Sequence, residues 1–566
     1  MHIVIFHYHL QPGGVTEVVT SMRRALLTHA PSVDRVTLVC GSEENVDAIR
    51  SAVESIEGSP PTIDVLTEIG YKTRQSLARY DPGDSAPETG TDGGETGGRD
   101  TAIRGPIGQV DSESVARGAS ELSRRIAATL LERYGGNDTI WWVHNHHLGK
   151  NPAFTRALYD VAAAHQDQRI VLHIHDFPEC GRYANLRFLR AAGLGELYPN
   201  LPNLTWVVIN SRDQRLLTNA GIPIVYHLPN PVETADSSTA VADDRAEIRR
   251  RLGYAFGTEF PMFDPEAPLL LYPIRTIRRK NVLEAGLITT LLPDPANLVV
   301  TLPGVSHQEK NYSAMVEHAY RDGLIRGLWG IGRRLDEASV SFGELQGGAD
   351  AIVSSSVQEG FGFQYIAPLL LGVPLIARRL DILADVEPLH ADRPHVLYDE
   401  VRVPMTGPTL SGPQALLRFR YTERLDRLRS DLPASVVDRL ETELDALLAG
   451  ETIEFSFLPA EMQLAILRDV AQDPSYRDRV RSLNRYLIDR ISAAIAVETT
   501  PARSLVNERF GPTRFAEVAE RIIASTGSST VSSDESSVPA GVHSRSVESA
   551  MLATFADLQY QRLLYS

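Results

Sequence analysis

Residues 349–378, ADAIVSSSVQEGFGFQYIAPLLLGVPLIAR, decide how the fold is read. ADAIVSSS (Ala349 to Ser356) is a short apolar run with the composition of a buried strand, and YIAPLLLGVPLIAR (Tyr365 to Arg378) is helix-like. Between them lies Glu359-Gly360-Phe361-Gly362-Phe363. A strand feeding a glycine-rich turn and then a helix gathers backbone N–H groups and one carboxylate at a helix N-terminus. Phosphate and sugar hydroxyls can both be held there.

Working outward, the tail VPLIAR also closes a series of strand-like runs that begins near Pro268: LLLYPIR, NLVVTLP, ADAIVSSS and VPLIAR. An earlier series, HIVIF, RVTLVC, TIWWVH, IVLHIH and WVVIN, alternates with helix-like segments such as Thr16 to Leu27 and Ser120 to Glu132. These runs are continuously apolar, as in parallel strands covered on both faces. The expectation is an α/β chain of two doubly wound, Rossmann-like domains in tandem, with a cleft between their strand C-termini.

The first domain is placed at 1–235, with a solvated, Gly-, Asp- and Thr-rich insertion at about 80–108. A polar linker follows at 236–267, then the second domain at 268–505 with a helical insertion at about 401–500. Residues 506–566 read as C-terminal helices interrupted by a Ser-rich tether at about 525–546, the last helix ending in LQYQRLLYS.

The chain has 566 residues and a formal charge of −16, with 43% hydrophobic and 23% charged residues. Such a composition supplies more than one core, and the acidic balance without a basic run disfavours nucleic acid as a partner. Two cysteines, Cys40 and Cys180, exclude a disulfide framework. No apolar run is long enough to span a bilayer and MHIVIFHYHL lacks the features of a signal peptide, so a cytoplasmic setting is expected.

Arg275-x-x-x-x-Lys280-Asn281 directly after a strand, followed by ADAIVSSSVQEGFGF, resembles the C-terminal domain of GT-B glycosyltransferases, in particular the retaining family 4. HLQPGGVTEVV is similar to that family's first glycine-rich loop, NSRDQRLLTNAGI to its serine-containing strand end, HLPNPVE to its domain-closing segment and FGPTRFAEVAERI to its late helix. The resemblance covers most of residues 1–380 and about 510–524. It implies transfer of a hexose from a nucleotide-diphosphate sugar to an acceptor, small molecule or glycan, with retention of configuration and with neither metal nor cofactor.

By this resemblance Arg275 and Lys280 neutralise the departing diphosphate, which suits two cations at one strand end. Glu359 would bind donor hydroxyls, and the amides of Gly360, Phe361 and Gly362 would approach sugar or phosphate where side chains would collide. Gly13 and Gly14 would lie beneath the same donor. His146, in VHNHHLGKNP, matches the family's histidine near the reacting carbon, and His175 and Asp176 would face the acceptor. The position of the family's second glutamate, a ribose ligand, is Ala367, followed by Pro368. Ribose recognition is therefore expected to differ.

Other readings stay open at this point. Arg275 and Lys280 would serve inorganic phosphate equally, so phosphorolysis releasing a sugar 1-phosphate is one. His7-x-His9, His144-x-His146 and His173-x-His175-Asp176 each end a strand, where residues two apart share a side, so a metal-dependent hydrolase is another. A non-catalytic sugar-nucleotide-binding protein, suggested by Ala367, is the third.

Overall fold

The computed structural model describes residues 1–11, 13–57, 60–80, 111–233, 245–409, 412–497, 499–526 and 547–564. These residues divide into two compact units, one comprising those up to 233 together with 507–555, the other those from 245 to 506 together with 556–564.

The first unit is built on seven parallel strands: β1 (His2–His7), β2 (Arg35–Cys40), β3 (Thr62–Val65), β4 (Thr139–His144), β5 (Arg169–Ile174), β6 (Leu204–Val208) and β7 (Val225–His227). Their order is β3-β2-β1-β4-β5-β6-β7, so the winding direction reverses between β1 and β4. In β4 all six residues are buried, because helices cover both faces of a central parallel strand. One face is closed by the helix Gly14–His29 and by the late helix Pro512–Ser525, whose Phe515, Ala519, Ile522 and Ile523 pack with Ile3, Ile5, Val19 and Met22. Each large apolar side chain so buried contributes about 1.5–3 kcal/mol. The late helix, more than two hundred and seventy positions past β7, is thus a core element of the first unit.

The second unit repeats the pattern with six parallel strands, β8 (Leu269–Arg275), β9 (Asn297–Leu302), β10 (Gly327–Trp329), β11 (Ala351–Ser354), β12 (Leu375–Arg378) and β13 (His395–Tyr398), in the order β10-β9-β8-β11-β12-β13. Here the reversal lies between β8 and β11. Five helices within 413–495 follow, with an antiparallel pair, β14 (Arg402–Pro404) and β15 (Thr452–Glu454), among them.

The structure departs from the sequence reading at identifiable points. The helix-like run 365–378 is split: a helix covers Phe363–Leu371, Gly372 caps it in the left-handed region (φ 68°), and the remainder is β12. An added Cβ at Gly372 would lie 2.6 Å from the Pro501 ring, so both the reversal and the close approach require glycine. Within the polar connection, Arg245–Phe256 is a helix, because Ile248, Leu252 and Phe256 recur every fourth residue and are buried. The final helix stops at Phe555, and LQYQRLL is irregular apart from one turn at Leu558–Tyr560. The residues 81–108 and 527–546, read as an insertion and a tether, lie outside the described residues. No helix among the described residues is long and apolar enough to cross a membrane.

Candidate functional site

In an open α/β sheet the loops at the reversal point diverge to opposite faces, so polar groups at those strand ends are left without a covering crossover. Each unit carries its concentration of chemistry-bearing side chains there.

In the second unit β8 ends at Arg275, and the chain then makes a single turn over Arg278–Lys280 before Asn281 caps the helix Val282–Leu291 with a positive φ of 49°. Asparagine tolerates that conformation, and its side chain is fully used. Asn281 Nδ2 donates to Glu284 (2.7 Å), while its Oδ1 accepts from Arg278 (3.0 Å) and Gln463 (3.1 Å). Arg278 is thereby committed to packing, donating also to the Leu458 carbonyl (2.8 Å). The next two residues, Arg279 and Lys280, point to the glutamate of the Gly-rich turn. Lys280 Nζ and Arg279 Nη1 pair with Glu359, the latter at 3.1 Å, and Arg279 donates to the Gln358 carbonyl at 2.8 Å. Ser355 and Ser356 after β11 fasten the two loops together by donating to the carbonyls of Lys280 (3.1 Å) and Arg279 (3.3 Å).

Burial alone would raise the Glu359 carboxyl. The charges of Lys280 and Arg279 and the hydrogen bonds they make outweigh it and hold the group down from 4.5 to about 2. Burial pushes the Lys280 ammonium down while Glu359 pulls it up, with a net downward direction. The pair is ionised, since both carboxylate oxygens are held by cations. Arg275 adds positive charge beside Lys280 and lies 3.7 Å from Glu309. Three cations and two carboxylates thus meet at one strand-end crossing.

Gly362 takes a positive φ of 85° and caps the helix Phe363–Leu371, and a Cβ there would meet Tyr365 at 2.8 Å. Phe361 and Phe363 stack edge to face, 4.9 Å between centroids. Ala367 is half-buried on that helix, one residue before Pro368.

In the first unit Gly13 precedes the helix Gly14–His29 in extended conformation, and an added Cβ would meet only the Gln11 carbonyl at 4.0 Å, or nothing at Gly14. The protein's own packing gives no reason for glycine at either position.

Histidines from β1, β4 and β5 crowd the other strand ends. His144 Nδ1 and His175 Nε2 are 2.8 Å apart, Trp142 Nε1 donates to His173 Nδ1 (3.2 Å), and Asn145, with φ 53°, accepts from the His175 N–H (2.8 Å). Asp176 pairs with Arg182. Burial pushes the imidazoles down, His175 to about 4 and His147 to about 3, with His7, His144, His146 and His173 well below 6.5. Among the described residues, His144, His173 and His175 are the group whose ligand atoms converge well enough for a metal, all within 4.8 Å of one another. His146, matched to the family's reacting-carbon histidine, is wholly buried instead. Its Nε2 is taken by the Tyr159 hydroxyl (2.9 Å) and its ring lies against His147 and Trp206.

No family model matches the chain. It is 28% identical over 498 residues to mannosylglucosyl-3-phosphoglycerate synthase of Petrotoga mobilis, covering 87% of this chain and 85% of that protein. Among solved structures, Anabaena HepE in complex with UDP-glucose aligns over 93% of this chain and 100% of its own at 13% identity and a TM-score of 0.45. Sucrose-phosphate synthase from Thermosynechococcus elongatus aligns over 92% and 98% at 13% identity and a TM-score of 0.47. The chain forms two parallel sheets, each reversing direction beside its first strand, with a late helix returned to the first of them. The chain has the GT-B fold. In this GT-B chain the structure brings together Lys280 and Glu359, both expected from the sequence, with Arg275 beside Lys280, and adds Arg279, which no motif in the sequence distinguishes from Arg278.

Proposed function

We propose that this GT-B chain is a retaining glycosyltransferase that moves a hexose from a nucleotide-diphosphate sugar to an anionic acceptor, without a metal at the diphosphate. The observation that carries the reading is the convergence of Arg279 and Lys280 on Glu359, with Arg275 adding its charge beside Lys280, at the reversal point of the second sheet. Cleavage of the sugar–phosphate bond leaves negative charge on the departing oxygen, and fixed cations stabilise that charge more in the transition state than in the bound donor. Glu359, pinned by two of them, presents a carboxylate whose remaining lone pairs orient sugar hydroxyls. The Gly360–Gly362 turn gives donor atoms close access to backbone.

The relative's name supplies the acceptor class: a product in which two sugars are joined to 3-phosphoglycerate. By that kinship the donor hexose is mannose and the acceptor glucosyl-3-phosphoglycerate. His175 and Asp176 are assigned to the acceptor side, and His146, buried against Tyr159, His147 and Trp206, is left out of the substrate contacts. The two free cysteines fit a reducing, cytoplasmic setting.

The test is a panel of nucleotide-diphosphate hexoses with glucosyl-3-phosphoglycerate, run with and without EDTA and followed by NMR of the anomeric proton. Transfer with retention that survives EDTA is the expected result. Turnover only with inorganic phosphate, yielding a sugar 1-phosphate, would replace transfer by phosphorolysis, and the absence of turnover across the panel would refute both.

A further inference from the structure

The imidazole group at the ends of β4 and β5 has no part in neutralising a diphosphate, and part of its polar surface is left unsatisfied by the protein. His144, His173 and His175 are each more than nine-tenths buried. His144 Nε2 is buried without a hydrogen-bond partner, while His173 Nε2 and Nδ1 of the adjacent His7 make no well-formed hydrogen bond although their rings interact with the backbone of Leu228 and of His144. Leaving a buried imidazole N–H or lone pair unpaired costs free energy, so a cluster of such atoms signals a missing ligand.

The ring arrangement indicates which ligand. The three centroids are separated by 4.9, 5.0 and 4.6 Å. Three imidazoles on one tetrahedral ion, with metal–nitrogen bonds of about 2.0–2.1 Å, place their centroids about 5 Å apart. His173 near the end of β5 and His175, the residue just past it, supply two of the rings, and β4 at the neighbouring register supplies the third, His144 standing opposite His173. We propose that His144, His173 and His175 form a binding site for a divalent transition metal ion of the class that prefers imidazole nitrogen, zinc above all, with a fourth position open to an oxygen ligand. Three neutral ligands leave the ion's double charge uncompensated, so that position favours an anion, hydroxide or carboxylate.

Loading has a defined local consequence. The Trp142 indole donates to His173 Nδ1, which puts that ring's proton on Nε2 in the metal-free chain. Coordination through Nε2 moves the proton to Nδ1 and gives up the long 3.2 Å contact with Trp142. The proton shared between His144 and His175 is likewise displaced when one of their facing nitrogens takes the metal. The site belongs to the first unit and shares no residue with the donor cluster, but His175 is also assigned to the acceptor side, so metal affinity and the cobalt spectrum, rather than transfer activity, report on it.

The experiment uses the full chain, stripped with EDTA and titrated with zinc against a chromophoric chelator, with circular dichroism as a fold check. One zinc per chain is expected, with affinity weakened at least about tenfold in His144→Phe and in His173→Phe, which keep ring volume and remove nitrogens. The exposed His165→Gln should leave it unchanged. Cobalt(II) substitution of the wild-type chain decides the matter even if the variants do not fold: intense visible absorption of a four-coordinate, nitrogen-bound ion supports the site. A spectrum indistinguishable from hydrated cobalt, or zinc binding that persists in a folded His144→Phe chain and falls with His165→Gln, would overturn it.

Discussion

Replacing Glu359 by Gln keeps the shape of the side chain and removes the charge that Lys280 and Arg279 surround. The carboxyl is nearly buried, and its descent from 4.5 to about 2 is worth about 3 kcal/mol of native-state stability. Because the folded value is depressed, that stability is fully present above the unfolded value of 4.5 and is lost as the pH falls through the folded value. The wild-type chain should therefore melt above Glu359→Gln by roughly 5–10 °C at pH 6–7. The gap should close progressively between about pH 4.5 and pH 2, where the wild-type carboxyl becomes as neutral as the amide. Differential scanning fluorimetry of the two proteins in parallel reads the gap directly, and the acid lability common to both cancels. A gap that stays constant from pH 6 to pH 2.5, or one that widens on acidification, would show that Lys280 and Arg279 do not hold the carboxylate as described.

Other substitutions probe the same unit. Arg275→Ala, Arg279→Ala and Lys280→Ala should each lower kcat by more than about tenfold in the transfer assay, and unchanged kcat in all three would remove leaving-group stabilisation from the mechanism. Gly362→Ala forces a side chain into a positive φ and against Tyr365, and should cost about 1–3 kcal/mol, visible as a lowered Tm. Arg378→Met strands the buried carboxylates of Glu284 and Glu454, both 2.6 Å from the guanidinium, so a loss of about 3–5 kcal/mol is expected in chemical denaturation. Ala367→Glu introduces a carboxylate at the position where the family resemblance implies a ribose ligand: tighter nucleotide binding in calorimetry would show that a ribose pocket persists.

Nine strands were legible because they are continuous apolar runs, and LLLYPIR marks β8 to the residue. Besides the antiparallel pair β14 and β15, which falls in the segment read as helical, the strands not anticipated are TIDV, VYH, GLW and HVLY, at the edges of the two parallel sheets in β3, β7, β10 and β13. An edge strand pairs on one side and needs few residues, so its signal is three or four letters long and not separable from a loop. In the site, Arg275, Lys280 and Glu359 could be named because a motif spaces them. Their tertiary bookkeeping could not: which of Arg278, Arg279 and Lys280 turns inward for packing depends on Asn281, Gln463 and Leu458, the last two far along the chain. The burial of His146 behind Tyr159 depends likewise on a helix whose docking no local pattern records.

The backbone passes from one unit to the other after 233, again before 507 and once more after 555. Strand order in the first sheet is complete by residue 227, yet the apolar face beside β1 is only partly covered, by the helix Gly14–His29, until Phe515 and Ile522 arrive. The second unit waits longer still, for Arg562 to reach Ser456 and Glu454. Vectorial synthesis ordinarily lets an N-terminal domain finish while the next is being made. Here neither half can consolidate on the ribosome before residues beyond 507 emerge, so a nascent chain halted at 500 should be more protease-sensitive in both halves than the released protein.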